Sequence, residues 1–176
     1  MTRTLTGKPS IDRPWMQYYP PQLMEGLSIP EDTVYEYLLK RCPGDDVAAI
    51  HYYGREITWK EVKEQVDKVA RSLRAIGFGE GDEIPMFLRA VPEFIYVLLA
   101  AEKIGASLLC RDNTIQENVD AVKKSGAKMI IAQDFLSHED LNKYRNEAGV
   151  RGAVLLSPIQ SANRSEVPRS EERRVG

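Results

Sequence analysis

The fold of this chain is decided by one stretch, Ala48 to Ala106, which reads AAIHYYGREITWKEVKEQVDKVARSLRAIGFGEGDEIPMFLRAVPEFIYVLLAAEKIGA. Its opening residues, Ala48 to Tyr52, form a short run with strand character. Gly54 supplies a turn, and Arg55 to Thr58 returns as a second run of the same kind. The opening of the stretch therefore predicts a β-hairpin.

A long amphipathic helix follows the hairpin. Thr58-Trp59-Lys60-Glu61 has the pattern of a capping box, in which a hydroxyl and a carboxylate satisfy free backbone N–H groups at a helix start. Apolar residues then recur every three or four positions, which predicts one buried face made of Trp59, Val62, Val66, Val69, Leu73 and Ile76. Gly77 ends the helix because glycine accepts the left-handed conformation.

The remainder of the stretch, and the residues after it, alternate strands with helices. A strand is predicted at Glu83–Leu88, and a largely apolar helix at Pro92–Ile104 has proline in its first turn and Gly105 as its stop. The same cues predict helices that begin at Thr114 and Ser137 and end at Gly126 and Gly149, and strands at Ala106–Cys110, Lys128–Ala132 and Gly152–Leu156. Such alternation predicts an α/β fold: a partial parallel sheet flanked by helices on both faces.

Three segments follow from this pattern. Residues 1–30 are rich in proline and aromatic residues and predict an extended or turn-rich arm, in which Trp15, Tyr18 and Tyr19 pack or contact a partner. Residues 31–157, which open with a short helix at Thr33–Leu39, form the α/β domain. Residues 158–176 show no periodicity and are predicted to be a disordered or non-native tail.

Composition excludes several classes of function. The formal net charge of −2 gives no electrostatic reason to expect a nucleic-acid partner. The longest apolar run, Phe94 to Ala101, is far shorter than the ~20 residues that span a bilayer. Cys42 and Cys110 stand far apart and are expected to be reduced thiols. These features predict a cytoplasmic protein, with peripheral membrane contact left open.

No motif in the chain predicts a catalytic, cofactor-binding or metal-binding residue. Gly77-Phe78-Gly79-Glu80-Gly81 leaves a helix and enters a strand, whereas a phosphate-binding loop leaves a strand and opens a helix. His51 and His138 are expected on the surface. Capping and solvation best explain the acidic residues, which mostly occur at element ends: Glu56, Glu61, Glu93, Asp112, Glu117 and Asp134.

Residues from about Arg13 to Asp134 together resemble the opening of adenylate-forming acyl-CoA synthetases. The resemblance rests on the order and spacing of short matches: Ile57-Thr58-Trp59, Gly81-Asp82-Glu83-Ile84, Pro92-Glu93-Phe94, Lys103-Ile104-Gly105-Ala106 and Ser125-Gly126-Ala127-Lys128. The arm sequence RPWMQYYP is similar to the leader of long-chain fatty acyl-CoA ligases. One departure is Thr114, which follows Asn113 where many members of the family have proline.

The resemblance implies a truncated ATP-dependent ligase that joins a carboxylic acid, preferably a fatty acid, to coenzyme A through an acyl-adenylate. ATP, magnesium and coenzyme A are implied for the parent enzyme, and none is expected to bind this fragment tightly. The family's catalytic motifs have no matching position here, so no site residue is carried over. The remainder of the parent is expected to cover the sheet, and the fragment alone is expected to be inactive and poorly stable.

Two other classes remain open. A stand-alone Rossmann-like binding module would need a ligand loop at the carboxyl ends of its strands, and the loops at Arg89–Val91, Arg111–Asn113 and Gln133–Leu136 lack glycine. The same domain piece could also be a non-enzymatic interaction protein. Within the enzyme class, aromatic acids, small acids and amino acids of peptide synthetases remain open as substrates.

Overall fold

The computed structural model describes residues 6–20, 30–88, 90–110, 114–157 and 161–163. The chain divides into two compact units, Met1–Glu31 and Asp32–Gly176. Of the predicted tail, residues 161–163 are described and make hydrogen bonds with the second unit's other elements, while the prediction of disorder for the remaining tail residues falls outside the described part.

The first unit contains two short helical segments. Helix α1 spans Pro9–Asp12, and a 3-10 helix spans Pro14–Tyr18. The backbone is therefore helical where extended or turn conformation was expected, because the fixed φ of proline also suits the first position of a helix. The Asp12 carboxylate accepts the backbone N–H groups of Thr6 at 2.9 Å and Gly7 at 2.8 Å.

The second unit opens with α2 (Val34–Lys40), which Thr33 caps. The hairpin consists of β1 (Ala48–Tyr52) and β2 (Arg55–Thr58), as predicted, and α3 (Trp59–Ala75) follows directly. The capping box is confirmed, with the Thr58 N–H donating to Glu61 Oε2 at 2.8 Å. On α3 the buried face is Val62, Val66, Ala70 and Leu73, while Trp59, Val69 and Ile76 are only half-buried.

The remaining elements alternate as predicted. They are β3 (Glu83–Phe87), α4 (Pro92–Ile104), β4 (Ser107–Cys110), α5 (Ile115–Ser125), β5 (Met129–Gln133), α6 (His138–Ala148) and β6 (Gly152–Leu156). The bounds of β3, β4 and β5 differ from the expected ones by one residue, and those of β6 agree with them. Gly105, Gly126 and Gly149 adopt the left-handed conformation that ends the helices before them.

Strands β3 to β6 form one parallel sheet in the order β4-β3-β5-β6. Met86 of β3 lies opposite Cys110 on one side and Ile131 on the other. The hairpin forms a separate antiparallel sheet of two strands. The partial parallel sheet with a preceding hairpin is therefore confirmed.

Helices cover both faces of the parallel sheet. Neighbouring residues of a strand point to opposite faces, and Ile130 and Ile131 belong to two different apolar clusters. The cluster around Ile131 contains the buried residues of α3 and α4, and the cluster around Ile130 contains those of α5 and α6. Each fully buried aliphatic side chain contributes about 1.5–3 kcal/mol relative to its exposed state. None of the helices in the described ranges is long and apolar enough to cross a membrane.

Candidate functional site

The strand order places a topological switch point between β3 and β5. From β3 the chain crosses to β4 on one side, and from β4 it returns past β3 to β5 on the other. In open parallel sheets ligands bind at such points, outside the carboxyl ends of the strands. Residues 88, 90–93 and 133–137 lie there, just after β3 and at the end of β5, and we call them the carboxyl-edge site.

Glu93 carries the first buried carboxylate of this site. Val91 provides no side-chain cap for α4, and the Glu93 carboxylate instead accepts a hydrogen bond from its own backbone N–H. Its Oε1 accepts the hydroxyl of Ser161, whereas its Oε2 is buried and has no hydrogen-bond partner among the described residues. Burial raises the pKa of Glu93, and the hydrogen bond from Ser161 and the charge of Arg55 only partly oppose the rise.

Asp134 carries the second carboxylate of this site with a buried oxygen. It follows β5, and its backbone N–H continues the sheet by donating to the Leu156 carbonyl at 3.2 Å. Its Oδ1 is buried without a hydrogen-bond partner in the part of the chain that the structure describes. The preceding residue, Gln133, is buried at 4% exposure. Asp134 as a residue is half-buried, so one of its two carboxylate oxygens is withdrawn from solvent.

Sequence reasoning assigned the same capping or solvated role to six acidic residues at element ends. The structure shows that they differ in role and in burial. Glu61 and Glu117 complete capping boxes as expected, and Glu56 is exposed. Glu93 and Asp134 instead bury carboxylate oxygens, and Asp112 lies outside the described residues. Their position in the sequence could have identified these two residues, because both come soon after a strand that was predicted to be buried.

The described loops after β3 and β5 differ in composition from a glycine-rich phosphate-binding loop. The described residues after β3 and β5 include no glycine, and they carry the carboxylates of Glu93 and Asp134. The glycine-rich turn uses its own donors internally, since the Gly79 N–H donates to Asp82 Oδ2 at 2.7 Å and the Gly81 N–H to the Gly105 carbonyl at 2.9 Å. The turn interpretation of residues 77–81 is confirmed.

A cavity of about 170 Å³ lies at the opposite, amino edge of the sheet. The carboxyl ends of α3 and α5 border it through Gly77 and Gly126, and Asp82 and Glu83 add acidic side chains. Helix carboxyl ends carry partial negative charge, which has the same sign as the acidic side chains at this edge. Lys128 contributes a basic group to the lining.

The other candidate residues are dispersed. His51 Nδ1 lies 3.4 Å from Glu56 Oε1 on the exposed face of the hairpin, and His138 is exposed at the start of α6. Cys42 and Cys110 are free thiols. Within the described ranges no three His, Cys, Asp or Glu side chains are grouped so that they could hold a metal ion. Trp15, Tyr18 and Tyr19 are 44%, 82% and 48% exposed.

A parallel sheet with this switch point and these helix boundaries is shared with adenylate-forming enzymes. The chain belongs to the AMP-binding enzyme family, whose sequence model matches residues 38–175. Acetyl-coenzyme A synthetase of Streptomyces avermitilis is 32% identical over 96 residues, which cover 51% of this chain and 15% of that protein. Surfactin synthase subunit 1 of Bacillus subtilis is 27% identical over 114 residues, covering 64% of this chain and 3% of that protein.

Solved structures show the same fold. ATP-bound MatB from Rhodopseudomonas palustris matches with a TM-score of 0.60 and 17% identity, covering 81% of this chain and 27% of that chain. A fatty acyl CoA synthetase of Mycobacterium tuberculosis matches with a TM-score of 0.51 and 20% identity, covering 64% and 24%. The sheet and its helices correspond to the N-terminal part of these enzymes, and the chain spans a small fraction of its relatives' length.

Proposed function

We propose that this chain is the opening part of the large domain of an ATP-dependent acyl-CoA synthetase. The parent reaction converts a carboxylic acid, ATP and coenzyme A to acyl-CoA, AMP and pyrophosphate through an acyl-adenylate. The observation that carries this proposal is the family match over residues 38–175, which covers the whole parallel sheet.

The nucleotide chemistry is assigned to residues outside this chain. Stabilising the charge of a reacting phosphate needs aligned N–H donors, lysine or arginine side chains, or magnesium. The described loops at the carboxyl-edge site offer carboxylates instead. ATP, magnesium and coenzyme A are therefore proposed as cofactors of the parent enzyme, and none is proposed to bind these 176 residues tightly.

A fatty acid is the preferred substrate, and acetate is the second candidate. The fatty acid is supported by the likeness of RPWMQYYP to the leader of long-chain ligases. Acetate is supported by the 32% identity to an acetyl-coenzyme A synthetase. An assay of pyrophosphate release by the parent-length enzyme distinguishes the two candidate substrates. Palmitate should give the higher kcat/KM, and a clear preference for acetate would reject the fatty acid.

The 176-residue chain is proposed to be inactive alone. ATP–pyrophosphate exchange should stay at background with palmitate and with acetate, while the parent-length enzyme exchanges in the same assay. Exchange above background by the purified fragment would reject this part of the proposal. The segment bounds 1–30, 31–157 and 158–176, a cytoplasmic location and peripheral membrane contact stay predictions, as does covering of the sheet by the remainder of the parent.

A further inference from the structure

The described residues 161–163, which come after β6, contact both the hairpin turn and the start of α4. Ser161 is buried, with 7% of its surface exposed, and its hydroxyl donates a hydrogen bond to Glu93 Oε1. The backbone N–H of Asn163 donates to the carbonyl of Tyr53 at 3.1 Å. Two hydrogen bonds thus connect one short segment to two different elements.

In both contacts the segment provides the donor, and the hairpin turn or α4 provides the acceptor. Tyr53 and Gly54 form the hairpin turn with φ angles of 41° and 70°, the left-handed pair that two-residue hairpin turns use. That geometry fixes the direction of the Tyr53 carbonyl. The Glu93 carboxylate lies at the start of α4, and the Tyr96 hydroxyl one turn later is also within hydrogen-bonding reach of Ser161.

A carboxylate is an expensive group to bury, and Ser161 offsets part of that cost. Hydrogen bonds to ionised acceptors are about twice as strong as neutral ones. Arg55, at the start of β2, adds a favourable charge to Glu93 while its Nη2 lies 3.1 Å from Glu61 Oε1. Removing Ser161 would leave the Glu93 carboxylate with the hydrogen bond from its own backbone N–H as the remaining one among the described residues.

We propose that Ser161–Asn163 is a strap that fastens the β1–β2 turn to the start of α4, with Glu93 as the positioning residue that holds it. The start of α4 is one wall of the carboxyl-edge site, so the strap fixes the geometry of that wall. The inference concerns the folded chain itself and does not depend on which acid the parent enzyme activates.

Backbone hydrogen exchange at Asn163 tests the strap directly. In the isotopically labelled 176-residue chain, NMR follows the Asn163 amide and, as an internal reference, the amide of Ile131 in the central strand β5. Ser161→Ala should accelerate exchange at Asn163 about tenfold, the effect of losing one hydrogen bond to a charged group. Ile131 should be unaffected. Ser72→Ala, which removes an exposed hydroxyl on α3, is the matched control and should change neither amide.

Non-additivity separates a strap held by Glu93 from a loose surface contact. Glu93→Val should accelerate Asn163 exchange as Ser161→Ala does, and the double variant should show no further acceleration, because both remove the same bond. Glu93→Gln keeps an acceptor and should retain most of the protection. The proposal would be overturned if the two substitutions accelerated Asn163 exchange independently of each other. It would also be overturned if the Asn163 amide already exchanged freely in the wild type. A chain in which Ile131 is itself unprotected would likewise overturn it, since no docked strap would then exist.

Discussion

At the scale of single residues, opposing electrostatic effects act on the Glu93 carboxylate. A carboxylate in the first turn of a helix is favoured by the helix dipole, yet burial raises the pKa of Glu93. Desolvation therefore exceeds the combined benefit of the dipole, Ser161 and Arg55. Glu93 lies just after the carboxyl end of β3, which is the edge at which open parallel sheets in general bind ligands.

Replacing this carboxylate with an amide should stabilise the chain near neutral pH. A raised folded-state pKa means that stability is greatest below the unfolded pKa and falls as pH rises through the folded value. Glu93→Gln should consequently raise the melting temperature at pH 7 by a few degrees, and the gain should shrink at pH 4. Thermal unfolding at the two pH values measures this, with exposed Glu56→Gln as the control. A loss of stability at pH 7 would show that the ionised form is the favoured one.

Tyr144 allows a second test at this scale, at alkaline pH. It is 1% exposed and stacks on Phe87 with ring centroids 5.5 Å apart. Burial is the main cause that raises its pKa from 10.0 to about 12. The stability that comes from the neutral phenol is complete below pH 10 and is lost as the pH approaches 12, by roughly 2–3 kcal/mol.

Tyr144→Phe should remove that dependence. At pH 8 the variant should lose about 1 kcal/mol, because the hydroxyl no longer bonds Asn118. At pH 11 the difference between the two proteins should narrow or reverse. Urea unfolding at both pH values measures it, and an equal alkaline loss in both proteins would assign the dependence to other groups.

The buried carboxylates also show where sequence reasoning stops. That Glu93 and Asp134 follow buried strands is visible in the sequence, but their burial depends on what packs over them. Ser161 is 68 residues from Glu93, and no local pattern links a serine in an unpatterned tail to the start of a helix.

At the scale of elements, the helix ends are set by local chemistry and were predicted closely. Thr58 and Thr114 cap their helices together with Glu61 and Glu117, and the glycine stops adopt the left-handed conformation. Strand order, in contrast to the helix ends, is not set by local residues. The position of β3 between β4 and β5 depends on two long crossovers, so the alternation of elements predicted a parallel sheet without its order.

Two of the glycine stops provide a matched comparison. A Cβ at Gly105 would lie 3.0 Å from Glu80 Cγ, whereas a Cβ at Gly126 would meet nothing within 4 Å, and their φ angles are 78° and 72°. Gly126→Ala should cost about 1 kcal/mol for the left-handed backbone alone. Gly105→Ala should cost at least about 2 kcal/mol, because the contact adds to the same backbone term. Denaturant unfolding measures both, and equal losses would mean that Glu80 moves aside freely.

At the scale of the whole molecule, the parallel sheet has two open edges among the described residues. β4 pairs only with β3, and β6 pairs only with β5. Leu155 of β6 is 46% exposed. An exposed apolar edge strand is a template for pairing with another chain, which is the physical basis for expecting the fragment to associate.

A charge on the open edge should reduce this association. Leu155→Lys should lower the apparent molecular mass in sedimentation at high protein concentration, because lysine on an edge strand opposes pairing. Val47→Lys is the matched control, since Val47 is 45% exposed and precedes the hairpin. An equal effect of the two variants would indicate general charge repulsion, and no effect of Leu155→Lys would exclude this edge.

The central place of β3 has a consequence for biosynthesis. On the ribosome, β3 and β4 emerge first and are joined by a single crossover, so they can pair while the later strands are still being translated. β5 then joins the vacant flank of β3, and β6 joins β5. The strand order is therefore compatible with growth of the sheet in the order of synthesis, since after β4 every later strand adds to the side of β3 that faces away from β4.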